Sequence, residues 1–288
     1  EVALGAAASL YGNSAMGAML KYGSEGAKQF NEMFVMSPEF SEAHRSGDIH
    51  IHDLDFYMLT TTCCQIDILK LFHGGFPTGH GELREPQDIA SYAALACIAI
   101  QSNQNDQHGG QSIQNFDYGM AEGVRKTFIR RYNKLMADSI SLLAGKDLYE
   151  EIKEMSAELL AQGLTLRMND YEAYQAEEAR RLAEEHGIDA EIIRKAQKHS
   201  AKKAYDETDR ATFQAMEALI HNLNTMHSRA GAQIPFSSIN YGLDMSVEGQ
   251  MVIRNVLLAT ERGLGKGETP IFPIQIFRVK SGVNLNPG

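Results

Sequence analysis

Near its carboxyl-terminal end the chain carries two apolar, β-rich runs, "AQIPFSSINYG" (232–242) and "TPIFPIQIFRVKSGV" (269–283), separated by an amphipathic stretch, "SVEGQMVIRNVLLATERGLG". A strand, helix, strand order constrains the ends of the chain to an α/β arrangement. The middle reads differently. From residue 124 to 230 the periodicity is helical throughout, with "DYEAYQAEEARRLAEEHG" as an exposed, charge-rich stretch and "DRATFQAMEALIHNLNTMHSRAG" as an amphipathic one. Gly187 followed by Asp189 marks a helix stop and a new N-cap. With no internal repeat and no low-complexity linker, residues 1–288 read as one domain with a helical region over about 119–230.

Upstream, "NSAMGAMLKYGSEGAKQFNEMFV" (13–35) spaces its apolar residues as an amphipathic helix, interrupted near Gly23. "SPEFSEAHRSG" predicts a short helix with Ser37 as N-cap, Pro38 at the first helical position and Gly47 as the stop. "DIHIHDLDFYML" alternates Ile49 and Ile51 against His50 and His52, the pattern of a strand with imidazoles on one face. "TTTCCQIDI" (60–68) reads as a buried strand, then comes a Gly-rich loop, "HGGFPTGHGELREP", and a helix in "PQDIASYAALACIAIQSNQ" that is buried on most sides.

No apolar run approaches the roughly eighteen residues that span a bilayer, and "EVALGAAASL" has no basic segment ahead of an apolar one, so the expectation is a soluble, cytoplasmic protein with no membrane contact. Three irregularly spaced cysteines form no disulfide framework, which suits a reducing compartment. A net charge of −10 argues against a broad nucleic-acid surface.

Four constellations carry chemistry. His50 and His52, followed by Asp53 and Asp55, could line a site or bind a metal from one strand face, but an internally hydrogen-bonded polar face is the stronger reading, and no metal is expected. Cys63 and Cys64 stand side by side, where strand alternation sends one to each face; with Thr60, Thr61 and Thr62 beside them, one is expected to serve chemistry and the other packing. Cys97, inside "ALACIAI", reads as core. "QSNQNDQHGGQSIQNFD" (101–117) gathers Gln101, Asn103, Gln104, Asn105, Gln107, Gln111, Gln114 and Asn115 around His108, Gly109 and Gly110. Uncharged amides suit the reading of hydroxyls and bases, and the glycines would let backbone amides approach a phosphate or sugar. "ERGLGKGETPIF" looks like a phosphate loop but lacks the required spacing.

Taken in order, "GDIHIHDLDF", "TTTCCQIDI", "LREPQDIASYAALACIAIQSNQNDQHGGQSIQNFDYG" and "RGLGKGETPIFPIQIFRVKSGVN" resemble the anaerobic, class III ribonucleoside-triphosphate reductases from about Asn13 onward. The resemblance implies an α/β fold, half of a ten-stranded α/β barrel of the ribonucleotide reductase and glycyl-radical type, with a large helical insertion. It implies reduction of ribonucleoside triphosphates for deoxyribonucleotide biosynthesis and DNA replication, by a glycyl and thiyl radical mechanism under allosteric control by ATP or deoxynucleotide effectors. A homodimer, a radical-SAM activating enzyme and formate or a thioredoxin-type reductant follow as partners, with no nucleic acid bound.

Carried over by residue, the resemblance makes Cys63 the catalytic cysteine facing the ribose and Cys64 its packing neighbour. It sets His50, His52, Thr62, Gln101, Asn103, Gln107, His108, Gly109 and Gly110 near the substrate, and Gly263, Gly265, Lys266, Gly267 and Glu268 in a loop that relays effector identity. The family's N-terminal ATP-binding domain has no counterpart here, and its thiyl cysteine and radical glycine are expected beyond Gly288. A non-catalytic module for nucleotide binding and dimerisation, derived from the reductase, is the alternative, and the length of the natural gene discriminates the two.

Overall fold

The structure is a computed structural model of the chain and describes residues 15–79, 81–228 and 234–286. The beginning of the first expected helix (13–14), His80 of the Gly-rich loop and residues 229–233 lie outside the described residues.

Helix α1 (Ala15–Phe30) runs on into a π-helical turn, Asn31–Val35. The expected interruption at Gly23 does not occur. Nothing lies within 4 Å of where a Cβ would sit on Gly23 or Gly26, so the helix carries both at the modest propensity cost of an exposed glycine. Helix α2 (Pro38–Ser46) has the expected ends: the Ser37 hydroxyl accepts from the Phe40 N–H, Pro38 occupies the first turn, and Gly47 closes the helix at φ 87°.

The strand expected at 48–52 is absent, and a second correction follows from it. The Ile49 N–H donates to the Ala43 carbonyl and the Ile51 N–H to His44 Nδ1, so α2 takes the donors that a ladder would need. Asp53 at φ 51° then turns the chain into a 3-10 turn, Leu54–Phe56. His50 and His52 are therefore exposed loop residues rather than one strand face.

β1 (Cys64–Ile66) follows, then α3 (Ile68–Phe72) and an antiparallel hairpin of β2 (Phe76–Pro77) and β3 (Glu82–Leu83). Asp88 caps α4 (Ile89–Asp106), which keeps Ala93, Ala96, Cys97 and Ile100 buried. The stretch 101–117, expected as a loop, is divided instead: 101–106 finish α4, 107–110 turn, and 111–113 form β4 (Gln111–Ile113). Amides at helix spacing continue α4 because its apolar face, not its polar end, decides the helix.

The helical region expected over about 119–230 resolves into α5 (Phe116–Ala144), α6 (Tyr149–Ala161), α7 (Glu172–His186) and α8 (Ala190–Thr225). Gly187 ends α7 in the left-handed region and Asp189 caps α8, accepting from the N–H groups of Glu191 and Ile192. β5 (Ser237–Tyr241), α9 (Val247–Arg262) and β6 (Ile274–Phe277) complete the strand, helix, strand order read from the sequence.

The strands form a sheet in the order β1-β4-β5-β6, every pairing parallel. The fold is α/β, with the helical block α5 to α8 inserted between β4 and β5. α8 packs on α5, α4 and α9, burying Phe128, Tyr132 and Met136 against Met216, Leu219 and Leu223. α5 approaches closely because it presents glycines: a Cβ on Gly119 would lie 2.3 Å from Ile68 Cδ1, and one on Gly123 would lie 2.8 Å from the Tyr92 ring. Because the sheet is parallel, the segments entering the strands share one edge. Residues 60–63, 107–110 and 263–273 meet the sheet there.

Candidate active site

Cys63 stands one residue before β1 at φ 62°, a conformation that non-glycine residues rarely adopt. Two backbone bonds hold it. The Cys63 N–H donates to the His108 carbonyl at 2.9 Å, and the Cys64 N–H to the Gly110 carbonyl at 2.9 Å. Between those carbonyls Gly109 sits at φ 95°, and a Cβ there would lie 2.8 Å from the Cys63 nitrogen and 3.0 Å from its Sγ. Only glycine fits, on conformation and on space.

The two adjacent cysteines do face different surroundings, but the cause is the left-handed turn at Cys63 rather than alternation within a strand. Cys63 is exposed, whereas Cys64 is half-buried and lines a separate cavity of about 510 Å³ with Asp67, Lys70, Phe76 and Asn103. Cys97 is core, as expected. Its Sγ lies 3.9 Å from the Leu219 carbonyl, and burial pushes the thiol up to about 12, so it is neither nucleophile nor redox group at neutral pH.

Amide side chains hold the turn against Cys63. Gln104 Nε2 donates to the Gly109 carbonyl at 2.8 Å, Asn103 Nδ2 to Gln107 Oε1 at 3.2 Å and to Gln111 Oε1, and Gln107 Nε2 to Thr61 Oγ1. Most of this amide capacity is spent inside the turn. Gln101 lies further back on α4, and its buried Nε2 has no hydrogen-bond partner; Thr62 is exposed beside Cys63.

His108 is fixed from both sides. Its ring stacks on Phe56 with centroids 3.9 Å apart, and its Nε2 lies 3.3 Å from Asp53 Oδ1, both side chains being largely buried. The same Asp53 oxygen is 3.6 Å from His52 Nε2, and the His50 ring is 5.7 Å from that of His52. Asp53 thus joins the His50 and His52 segment to the turn that carries Cys63. Sequence reasoning noted Asp53 only as a neighbour of His52 and passed over Phe56; a polar residue ahead of an aromatic in "HDLDF" was the available signal. A cavity of about 600 Å³ opens beside this group, walled by Met16, Met19, Leu20, Phe56 and Leu59, with Gln107 and His108 at its polar end.

The loop 263–268 meets the same edge of the sheet. It enters β6, three strands from β1, so roughly 14 Å of sheet separates it from Cys63. It is a closed turn: the Leu264 N–H donates to the Glu268 carbonyl at 2.9 Å and the Lys266 N–H to the Glu268 carboxylate at 2.8 Å, which holds that carboxyl below its ordinary range. Gly263 and Gly267 adopt φ 78° and 83° there, and Gly265, Lys266 and Glu268 are exposed. Among the described residues no group of three or more His, Cys, Asp or Glu side chains is placed to hold a metal ion, and no helix is long and apolar enough to cross a membrane.

The family model for anaerobic ribonucleoside-triphosphate reductase matches residues 6–288. The reductase of that name from Enterobacteria phage T4 is 26% identical over 262 residues, covering 90% of this chain and 33% of the phage protein. The Escherichia coli (strain K12) protein of the same name is 26% identical over 266 residues, 91% of this chain and 29% of its own length. The chain thus spans about a third of the curated relatives it matches. A crystal structure of the anaerobic ribonucleotide reductase from Thermotoga maritima with dATP bound in its specificity site is 15% identical, covers 95% of this chain and 39% of that one, and superposes with a TM-score of 0.49. At that score the likeness carries no weight, and the sequence matches stand by themselves.

Proposed function

The chain belongs to the anaerobic ribonucleoside-triphosphate reductase family, and from that premise we propose that the amino edge of its sheet presents Cys63 to the ribose of a ribonucleoside triphosphate, as part of a reductase active site. The observation that carries the reading is the Cys63 geometry: an exposed thiol held in a left-handed turn against a glycine that no other residue could replace. Strain of this kind costs about 1–3 kcal/mol and persists where function requires it.

In this reading the reaction removes the 2′-hydroxyl as water, and Cys63 contributes a hydrogen atom or electron to the ribose. His108, fixed by Asp53 and Phe56, sets the position of the Cys63 N–H through its carbonyl, and Gln107 with Thr61 closes the turn behind it. The glycyl radical that starts such a reaction, and the thiyl cysteine it generates, belong to residues outside this chain. A radical-SAM activating enzyme would install the radical, and formate or a thioredoxin-type protein would supply the reducing equivalents. Pairing of two chains through the helical region after 84–92, with deoxynucleotide or ATP effectors read by the 263–268 loop, would give the allosteric control expected of the family. The cytoplasm is the compartment this chemistry suits.

The test is turnover in the longest natural form of the protein, assayed anaerobically after activation. Cys63→Ser should abolish deoxynucleotide formation, and Cys64→Ser should retain it at reduced stability. Undiminished turnover in Cys63→Ser would overturn the assignment.

A further inference from the structure

The helical block carries a second concavity, far along the chain from Cys63. Between α7, α8 and the connection 163–171 lies a cavity of about 500 Å³ walled by Tyr171, Gln175, Gln197 and Tyr205. That is the size of a small-ligand site. α8 sends three cations along it, Arg194, Lys198 and Lys202, at spacings of four residues, which places them on one face about 6 Å apart.

These cations are uncompensated. All three are exposed, and among the described residues none has an ion-pair or hydrogen-bond partner. The neighbouring basic residues behave otherwise. Arg180 is bound by Glu177 and Glu184, Arg181 by Glu158 and Glu177, and Lys195 by Glu191. A merely solvated basic face on a chain of net charge −10 would be neutralised in the same way. Asp206 continues the same face one turn beyond Lys202 and also lines the cavity. It ends the basic run with a carboxylate, an acceptor for a sugar hydroxyl or an amine.

The floor is preorganised. Gln197 Nε2 donates to the Gln175 carbonyl at 2.7 Å and to the buried Glu178 carboxylate at 2.9 Å, and the Tyr132 hydroxyl donates to Glu178 at 2.7 Å. The walls facing a ligand therefore keep their shape without it.

We propose that this groove is a nucleotide-binding site separate from the edge that carries Cys63, with the phosphates on Arg194, Lys198 and Lys202 and the base against Tyr171 and Tyr205. Three cations in line match a chain of phosphates, and the phenol rings supply the stacking surface that a bare phosphate would not need. The run is two helical turns long and closed by Asp206, so it suits one nucleotide rather than a tracked strand. The assignment is independent of the role given to Cys63.

Titration of this chain by calorimetry, with ATP and no added divalent metal, tests it. ATP should bind saturably at low salt, and the double variant Lys198→Glu, Lys202→Glu, which touches only exposed side chains, should weaken binding at least about tenfold while its circular dichroism stays that of the parent. Tyr205→Phe should leave ATP binding within about twofold, and inorganic tripolyphosphate should bind at least about fivefold more weakly than ATP. No binding of ATP, or binding that the double variant leaves unchanged, would overturn the site. Tripolyphosphate binding as tightly as ATP would overturn the nucleotide assignment, as would an oligothymidylate that binds far more tightly and displaces ATP.

Discussion

At the carboxyl edge of the sheet one fully buried carboxylate, Asp117, accepts three successive backbone N–H groups, from Gly242, Leu243 and Asp244, at 2.8, 2.9 and 3.0 Å. At the amino edge the chain entering β1 is held by two backbone bonds, side-chain amides and a glycine contact, and its thiol stands exposed in a left-handed turn. The same four strands therefore end in two kinds of structure. Charge-assisted bonds to backbone amides lock one end. The other end spends stability to present a side chain, and a site that must meet a ligand belongs there.

The largest effect should come from unlocking the carboxyl edge. Asp117→Ala leaves three backbone donors without their acceptor and should cost on the order of 4 kcal/mol in urea unfolding, while the alkylation rate of Cys63 in the folded variant stays that of the parent. A loss below about 1 kcal/mol would show that this edge is not held as described.

Next comes the helical block, which serves as a control for both edges. Burial raises the Glu178 carboxyl from 4.5 to about 7, so the fold binds that proton more tightly than the unfolded chain does. Stability contributed by the protonated form is present below about pH 4.5 and falls as pH rises toward about 7. Glu178→Gln should therefore stabilise the protein at about pH 8 by on the order of 3 kcal/mol, be near neutral at about pH 4.5, and leave Cys63 reactivity untouched. Equal stabilisation at both pH values would remove titration as the cause.

A smaller cost and a sharper local effect are expected at the amino edge. Gly109→Ala should destabilise by about 2 kcal/mol, from backbone strain and the approach to Cys63. Unlike the other two substitutions, it should also change the alkylation rate of Cys63 in the folded state. An unchanged rate would separate the glycine from the thiol and break the comparison.

The parts legible in the sequence were those set by local chemistry. Ser37, Pro38 and Gly47 bounded α2, Gly187 and Asp189 separated α7 from α8, and apolar periodicity placed α4, β5, α9 and β6. The failures share a cause in long-range partners. Alternation at 49–52 could not reveal that α2 would take the strand's donors, and helical Gly23 was misread because a turn and an exposed helical glycine look alike in one dimension. Cys63 and Cys64 were singled out correctly as a pair with unlike surroundings, but the φ of 62° at Cys63 depends on Gly109, 46 residues away. Asp117 gave no signal, since its three partners lie about 125 residues further along the chain.

The account rests on Cys63 being the thiol that the amino edge presents, and timed iodoacetamide labelling of the native chain with peptide mass spectrometry measures that directly. Cys63 should be modified first, Cys64 several-fold more slowly from its half-buried position, and Cys97 only on unfolding. Labelling of Cys64 ahead of Cys63, or protection of Cys63 comparable to that of Cys97, would contradict it.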